Sequence, residues 1–141
     1  DLYHRLSMRN PRILKEVKVK DVMVKPIAVL NDRMEISEAI SKVQKYTFRV
    51  FPVVNDEGRL EGFIALEDLL SFTEKSRNLP VSLASIRPAL KFKPEDNIGY
   101  AIERMFEENM DKAAVVDESE RLIGIITTKD ILKKLATYLT R

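Results

Sequence analysis

Apolar residues along this chain follow two alternating spacings. Short, β-branched runs at 27–30, 50–54, 60–65, 89–92, 113–116 and 122–126 have the length of buried strands. Between them the apolar positions return at helical spacing. Ile36, Ala39, Ile40 and Val43 line one face, and Ile98, Ala101, Ile102, Met105 and Phe106 line another. Further helices are predicted over 67–75 and from Thr128 onward, the latter through Ile131, Leu132, Leu135 and Leu139. Asp32, with Glu35 three residues on, reads as an N-cap, and Pro94-Glu95-Asp96 reads as a helix start with acids in its first turn. Turn residues 55–58 and 117–120 separate strand pairs as hairpins. Pro52 implies an edge or irregular ladder position, because it has no N–H to donate. Leu2 and Leu6 predict a helical turn that Asn10-Pro11 ends.

The second half repeats the first. A shift of 62 residues superimposes 19–70 on 81–132 without a gap. It leaves identical pairs such as Pro26/Pro88, Ala39/Ala101, Val53/Val115, Arg59/Arg121, Gly62/Gly124, Ile64/Ile126 and Asp68/Asp130. Each half reads β-α-β-β-α, so the fold class expected is mixed α/β built from two repeats. The divisions expected are a linker or helix over 1–18, repeat 1 over 19–76, a link over 77–80 and repeat 2 over 81–139. Two copies fit a pseudo-dimer better than a solenoid, which needs more units. The helices near 66–75 and 128–139 carry Leu69, Phe72, Leu135 and Leu139, more apolar surface than one small half covers. A homodimer through them is therefore expected.

Composition narrows the function. The 141 residues are 45% hydrophobic and 33% charged, as in a soluble globular protein, and 24 basic against 22 acidic residues argue against a general nucleic-acid binder. There is no membrane-length apolar run and no signal-peptide pattern, so a cytoplasmic location is expected. With one histidine, His4, and no cysteine, the chain offers no histidine pair, nucleophile triad or metal cluster, and it has no Gly-rich phosphate loop. It is not expected to be an enzyme. The chain starts at Asp1, which reads as a fragment of a longer protein.

The chemistry gathers at 121–132, where a strand turns into a helix. Thr127 stands three residues before Asp130, putting a hydroxyl and a carboxylate at a helix mouth, where N–H groups and the dipole favour anions. The same spacing also reads as a capping box with Asp in place of Glu.

Two β-α-β-β-α units, each ending in a Gly-x-x-(Thr)-x-x-Asp turn, resemble a tandem pair of CBS domains, a Bateman module, over residues 19–138. The resemblance implies two small sheets meeting across a pseudo-two-fold axis. It also implies regulation of an attached domain by adenine nucleotides (AMP, ADP or ATP), with no catalytic cofactor. In such modules the Thr-x-x-Asp turn of one half faces the first strand and hairpin strand of the other. Carried over, Thr127 and Asp130 would face Lys25, Pro26, Ile27 and Ala28, together with Arg49, Val50 and Pro52. Asp130 would hold a ribose diol; Thr127, Arg49 and Lys25 would meet phosphate; Ile27, Ala28, Val50 and Ile125 would wall a purine. The mirror cleft has Ala65 for Thr127, Asp111 for Arg49 and Ala114 for Pro52. It keeps Asp68, Arg87 and Lys112 as a weaker second site.

The leading Asp1-Leu-Tyr-His-Arg-Leu and the following Asn10-Pro11 are similar to the segment that joins the last membrane helix of ClC-type chloride channels and transporters to their cytoplasmic CBS region. That resemblance implies the cytoplasmic regulatory part of a membrane transporter. A ligand-free dimerisation module, or a stand-alone CBS protein acting on a soluble enzyme, is the alternative.

Overall fold

The computed structural model describes residues 11–139, with side chains assigned from Arg12 to Tyr138. The expected turn at Leu2 and Leu6, and His4, lie outside the described residues. The elements follow the order α1 (Pro11–Glu16), β1 (Leu30–Asn31), α2 (Ile36–Val43), β2 (Val50–Val54), β3 (Leu60–Ala65), α3 (Leu66–Leu70), β4 (Lys91–Phe92), α4 (Ile98–Glu107), β5 (Lys112–Val116), β6 (Leu122–Thr127) and α5 (Thr128–Leu139). Short 3-10 turns fall at Val19–Asp21, Glu74–Ser76 and Val81–Leu83. There are two three-stranded sheets, ordered β1-β2-β3 and β4-β5-β6. In each, the first pair is parallel, with Leu30 opposite Val53 and Lys91 opposite Ala114. Among the described residues no helix is long and apolar enough to cross a membrane.

The compact units are cut differently from the sequence repeats. Unit 2 is 26–89 with 119–122, and unit 1 joins the segment ending at Lys25 to 90–118 and to the described residues from Ile123 onward. The leading segment of each repeat, with the residues just ahead of it, therefore packs in the unit built on the other repeat. In unit 1, Ile13, Leu14, Val17, Val19 and Val22 pack with Phe92, Ile98, Met105, Ile126 and Leu135. In unit 2, Val81 packs with Leu30, Ile36, Phe51, Val53 and Leu69.

These segments also cap the helices. The Ile98 N–H of α4 donates to the Val17 carbonyl at 3.0 Å, and the Ile36 N–H of α2 donates to the Leu79 carbonyl at 2.9 Å. Backbone carbonyls thus satisfy donors that a helix start leaves open. This corrects two expected starts. The α2 cap is Glu35 rather than Asp32. In α4 the cap is Asn97, whose side chain accepts from the Tyr100 N–H at 2.8 Å, while Pro94–Asp96 form a turn ahead of it.

Other expectations shift for local reasons. The first strand of each sheet is only two residues long and begins later than its apolar run. The helix expected over 67–75 stops at Leu70, where the Ser71 hydroxyl donates to the Asp68 carbonyl at 2.7 Å. Its counterpart α5 runs twelve residues, with Leu135 buried where repeat 1 has Thr73. Pro52 is on the central strand, not an edge. Its partner Phe63 turns both backbone groups toward Arg87, and β1 pairs only from Val53 onward. The missing Pro52 N–H therefore leaves no ladder bond unmade. Phe106, expected in the core, is 67% exposed. Leu69 and Leu135, expected at a dimer contact, are fully buried in their own units, and Leu139 lies outside the described side chains.

Candidate functional site

In unit 1, β6 delivers Thr127 to the mouth of α5. The Asp130 N–H donates to Thr127 Oγ1 at 3.1 Å, and that hydroxyl donates to Asp130 Oδ2 at 2.8 Å. The pair is a working cap, half-buried, at the start of a twelve-residue helix. One Asp130 oxygen is left over, and among the described residues no Lys or Arg pairs with it. Lys25, in the same unit, is exposed and makes no ion pair with a described residue.

Unit 2 treats the equivalent aspartate differently. The Ala65 N–H donates to Asp68 Oδ2 at 3.4 Å, and with no hydroxyl at Ala65 the cap is half made. The Arg87 guanidinium takes up both Asp68 oxygens, at 3.4 and 3.2 Å. Two members of the expected second site are thus together, already paired with each other. Lys112 belongs to unit 1, where burial holds its ammonium below the ordinary lysine range and nearby Asp111 partly offsets this.

The remaining expected residues are placed as follows. Pro26, Ile27, Ala28, Arg49, Val50 and Pro52 belong to unit 2, and Lys25, Ile125, Thr127 and Asp130 to unit 1. Ile27 is 69% exposed, whereas Ala28, Pro52 and Ile125 are buried. Ile125 exchanges two backbone bonds with Val24, at 2.8 and 2.9 Å. Arg49 is exposed and ion-paired to Glu67, whose carboxyl the guanidinium holds below the ordinary range. A phosphate approaching Arg49 therefore competes with Glu67. Solvent screens such an exposed pair, so it holds Arg49 only weakly.

The repeated glycines have a structural cause. A Cβ on Gly62 would stand 2.2 Å from the Arg87 carbonyl oxygen, and one on Gly124 would stand 2.6 Å from Met23 Sδ. Each crossing segment runs over one glycine. In unit 2 it does so with paired Phe63–Arg87 backbone bonds, which also bring Arg87 to Asp68.

One interaction had no signal in the sequence. A hydrogen bond to Asp32, then partial burial and the Asp32 charge, push the Glu61 carboxyl up to about 7. Asp32 Oδ1 is itself buried without a partner. Because the folded value lies above the ordinary 4.5, the contribution is full at low pH and is lost as pH rises from about 4.5 to 7. Glu61 is largely exposed, so screening keeps it below about 1 kcal/mol. Glu61→Gln is expected to flatten this pH dependence and to be the more stable protein at pH 8. Thermal melts across pH 4.5–8 check this, and parallel curves for the two proteins would refute it.

Comparison with known proteins agrees with the repeated architecture. A family model described as "CBS domain" matches residues 19–75 and 82–137. Inosine-5'-monophosphate dehydrogenase of Methanocaldococcus jannaschii is 29% identical over 117 residues, covering 83% of this chain and 23% of that protein. The magnesium and cobalt efflux protein CorC of Buchnera aphidicola is 24% identical over 119 residues, covering 82% of this chain and 41% of that one. The chain thus spans less than half the length of either relative. The solved CBS domain of a bacterial CNNM/CorC family Mg2+ transporter in complex with ATP shares the fold. Its TM-score is 0.75 at 16% identity, covering 95% of this chain and 97% of that one. With both repeats matched over most of its length, the chain belongs to the CBS domain family and contains a tandem CBS pair.

Proposed function

We propose that this CBS pair is a regulatory module that binds an adenine nucleotide, with Asp130 accepting the ribose hydroxyls. The observation that carries the reading is the contrast between the two aspartates. Asp130 keeps an oxygen with no cation on it, while Arg87 occupies Asp68. A carboxylate in a half-buried setting accepts charge-assisted bonds from a diol, each worth about 1.5–3 kcal/mol. The N-terminus of α5 adds a field that favours the phosphate of the same ligand. Support also comes from the ATP complex of a CBS domain with the same fold.

The module acts on another domain or protein rather than by catalysis. The efflux-protein relative favours a membrane transporter as that target. The finer ClC-type reading rests on residues 1–11. A soluble enzyme is the second reading, favoured by the dehydrogenase relative. Isothermal titration with AMP, ADP and ATP tests the proposal. One site per chain is expected, with a Kd on the order of micromolar, about −8 kcal/mol. No heat with any of the three, or two equal tight sites, would overturn it.

A further inference from the structure

In unit 2, β1 and β3 lie on either side of β2. Asp32 directly follows β1, and its N–H donates to the Val54 carbonyl of β2 at 2.9 Å. At the same level β3 slips in register. Val54 faces Leu60 and Val53 faces Gly62, which leaves Glu61 as the extra residue of a β-bulge. A bulge re-aims the side chain it carries. Here the Glu61 carboxyl reaches a hydrogen bond with Asp32. Two ionised carboxylates only accept, so that bond needs a proton on one of them. Asp32 Oδ1, buried and without a donor, is an acceptor for it. The 62-residue shift puts Pro94 and Ile123 at these positions in repeat 2, so the fold does not require the pair.

The neighbouring charges are engaged elsewhere. Arg33 pairs with Asp56 at 2.9 Å, Arg59 with Glu57 at 3.5 Å and Arg87 with Asp68 at 3.2 Å. Lys42 reaches the Val29 carbonyl at 2.6 Å, and Arg121 the Glu57 carbonyl at 3.1 Å. Glu120 meets β3 through its backbone carbonyl, which accepts from the Leu60 N–H at 3.0 Å. β2 and residues 81–86 carry no titratable side chain. Of these charges only Asp32 acts on the Glu61 carboxyl.

The segment crossing this sheet is tied at both ends beside the pair. The Ser82 N–H donates to the Asp32 carbonyl at 2.8 Å. Arg87 exchanges backbone bonds of 2.8 and 2.9 Å with Phe63, two residues past Glu61. At Gly62, between them, there is no slack, since even a Cβ would stand 2.2 Å from the Arg87 carbonyl oxygen. A shift of β3 against the end of β1 therefore passes into 82–87 and on to the Arg87 side chain. We propose that one proton shared by Asp32 and Glu61 latches the crossing segment 82–87, and that its loss as pH rises loosens Arg87 from Asp68. With the proton the two carboxyls are bonded; without it they repel. The folded Glu61 carboxyl is raised to about 7, so the latch is closed at lower pH and opens as pH passes that value. The device lies within unit 2 and does not depend on nucleotide at Asp130.

Amide hydrogen exchange on the full chain without nucleotide, read by NMR and corrected for the intrinsic pH dependence of exchange, tests it. Protection at Phe63, Ser82 and Arg87 is expected to fall about threefold between about pH 6 and pH 8. Protection at Val24 and Ile125, the crossing in unit 1, is expected to hold. In Glu61→Gln, whose amide donates to Asp32 at any pH, the fall disappears and protection stays at the parent's low-pH level. In Glu61→Ala it stays at the parent's high-pH level throughout. Carbon-13 titration follows the carboxyls. Glu61 is expected to titrate at about 7 in the parent and to return toward 4.5 in Asp32→Asn, and the Asp68 resonance is expected to move with the Glu61 midpoint. A parent Glu61 midpoint near 4.5, an equally steep fall in Glu61→Gln, an equal fall at Val24 and Ile125, or an Asp68 resonance indifferent to the Glu61 midpoint would each overturn the proposal.

Discussion

Asp130→Ala is expected to weaken nucleotide binding by about 2–4 kcal/mol, because both ribose bonds leave with one carboxylate. Asp68→Ala is expected to change binding little. Arg87 already occupies that carboxylate, and Ala65 supplies no hydroxyl beside it. Both variants also lose an acid from the first turn of a helix, a cost of a few tenths to about 1 kcal/mol in stability. The shared cost cancels between the two, and their difference reports the ligand. Calorimetric titration of both variants with the nucleotide that binds the parent protein provides the measurement. Loss of binding in Asp68→Ala with retention in Asp130→Ala would put the site in the other unit. Equal binding in both, with only stability changed, would leave Thr127 and Asp130 as a helix cap and nothing more.

Gly62→Ala is expected to destabilise the protein by about 3 kcal/mol and Gly124→Ala by about 1 kcal/mol, both within the range for overpacking. The two residues are identical in the repeat, yet their neighbours differ in kind. At Gly62 the added methyl meets the Arg87 backbone carbonyl at 2.2 Å and Ile86 Cγ2 at 2.9 Å, so a crossing segment must shift. At Gly124 it meets the Met23 side chain, which is flexible and can move aside. Urea titration monitored by circular dichroism measures both, and equal losses would show that the kind of neighbour does not matter. The Gly62 variant has a second readout. Displacing Arg87 loosens its hold on Asp68, so that carboxylate becomes more available in the variant than in the parent.

Much of this architecture is legible in the sequence because apolar spacing is a local signal. β2 and β3 fall on the apolar runs expected for them, and the Gly62/Gly124 and Asp68/Asp130 identities mark the hairpin strand and helix mouth of both halves. What spacing could not show is which partner a segment meets. The helix starts at Ile36 and Ile98 are completed by the carbonyls of Leu79 and Val17, far away in sequence, so Asp32 and Pro94 were natural but misleading local signals. Phe106 has core periodicity, yet it is 67% exposed in the structure. For the site, Thr127 and Asp130 were legible as a pair. The pairing of Arg87 with Asp68 and of Arg49 with Glu67, which distinguishes free from occupied charges, depends on tertiary geometry.

The exchange of segments between repeats also fixes an order of assembly during synthesis. Domains fold as units while the chain emerges at about 5–20 residues per second. Apart from residues 119–122, everything unit 2 needs has been made once residue 89 leaves the ribosome. Unit 1 is opened by the first described residues and closed by the last. Ile13, Leu14, Val17, Val19 and Val22 emerge early, but Ile98, Met105, Ile126 and Leu135, against which they pack, are made on the order of several seconds later. During that interval the early segment is an exposed apolar stretch tethered to a unit that can already fold. Its apolar positions have no partners until the second repeat is made, and completion of that repeat covers them.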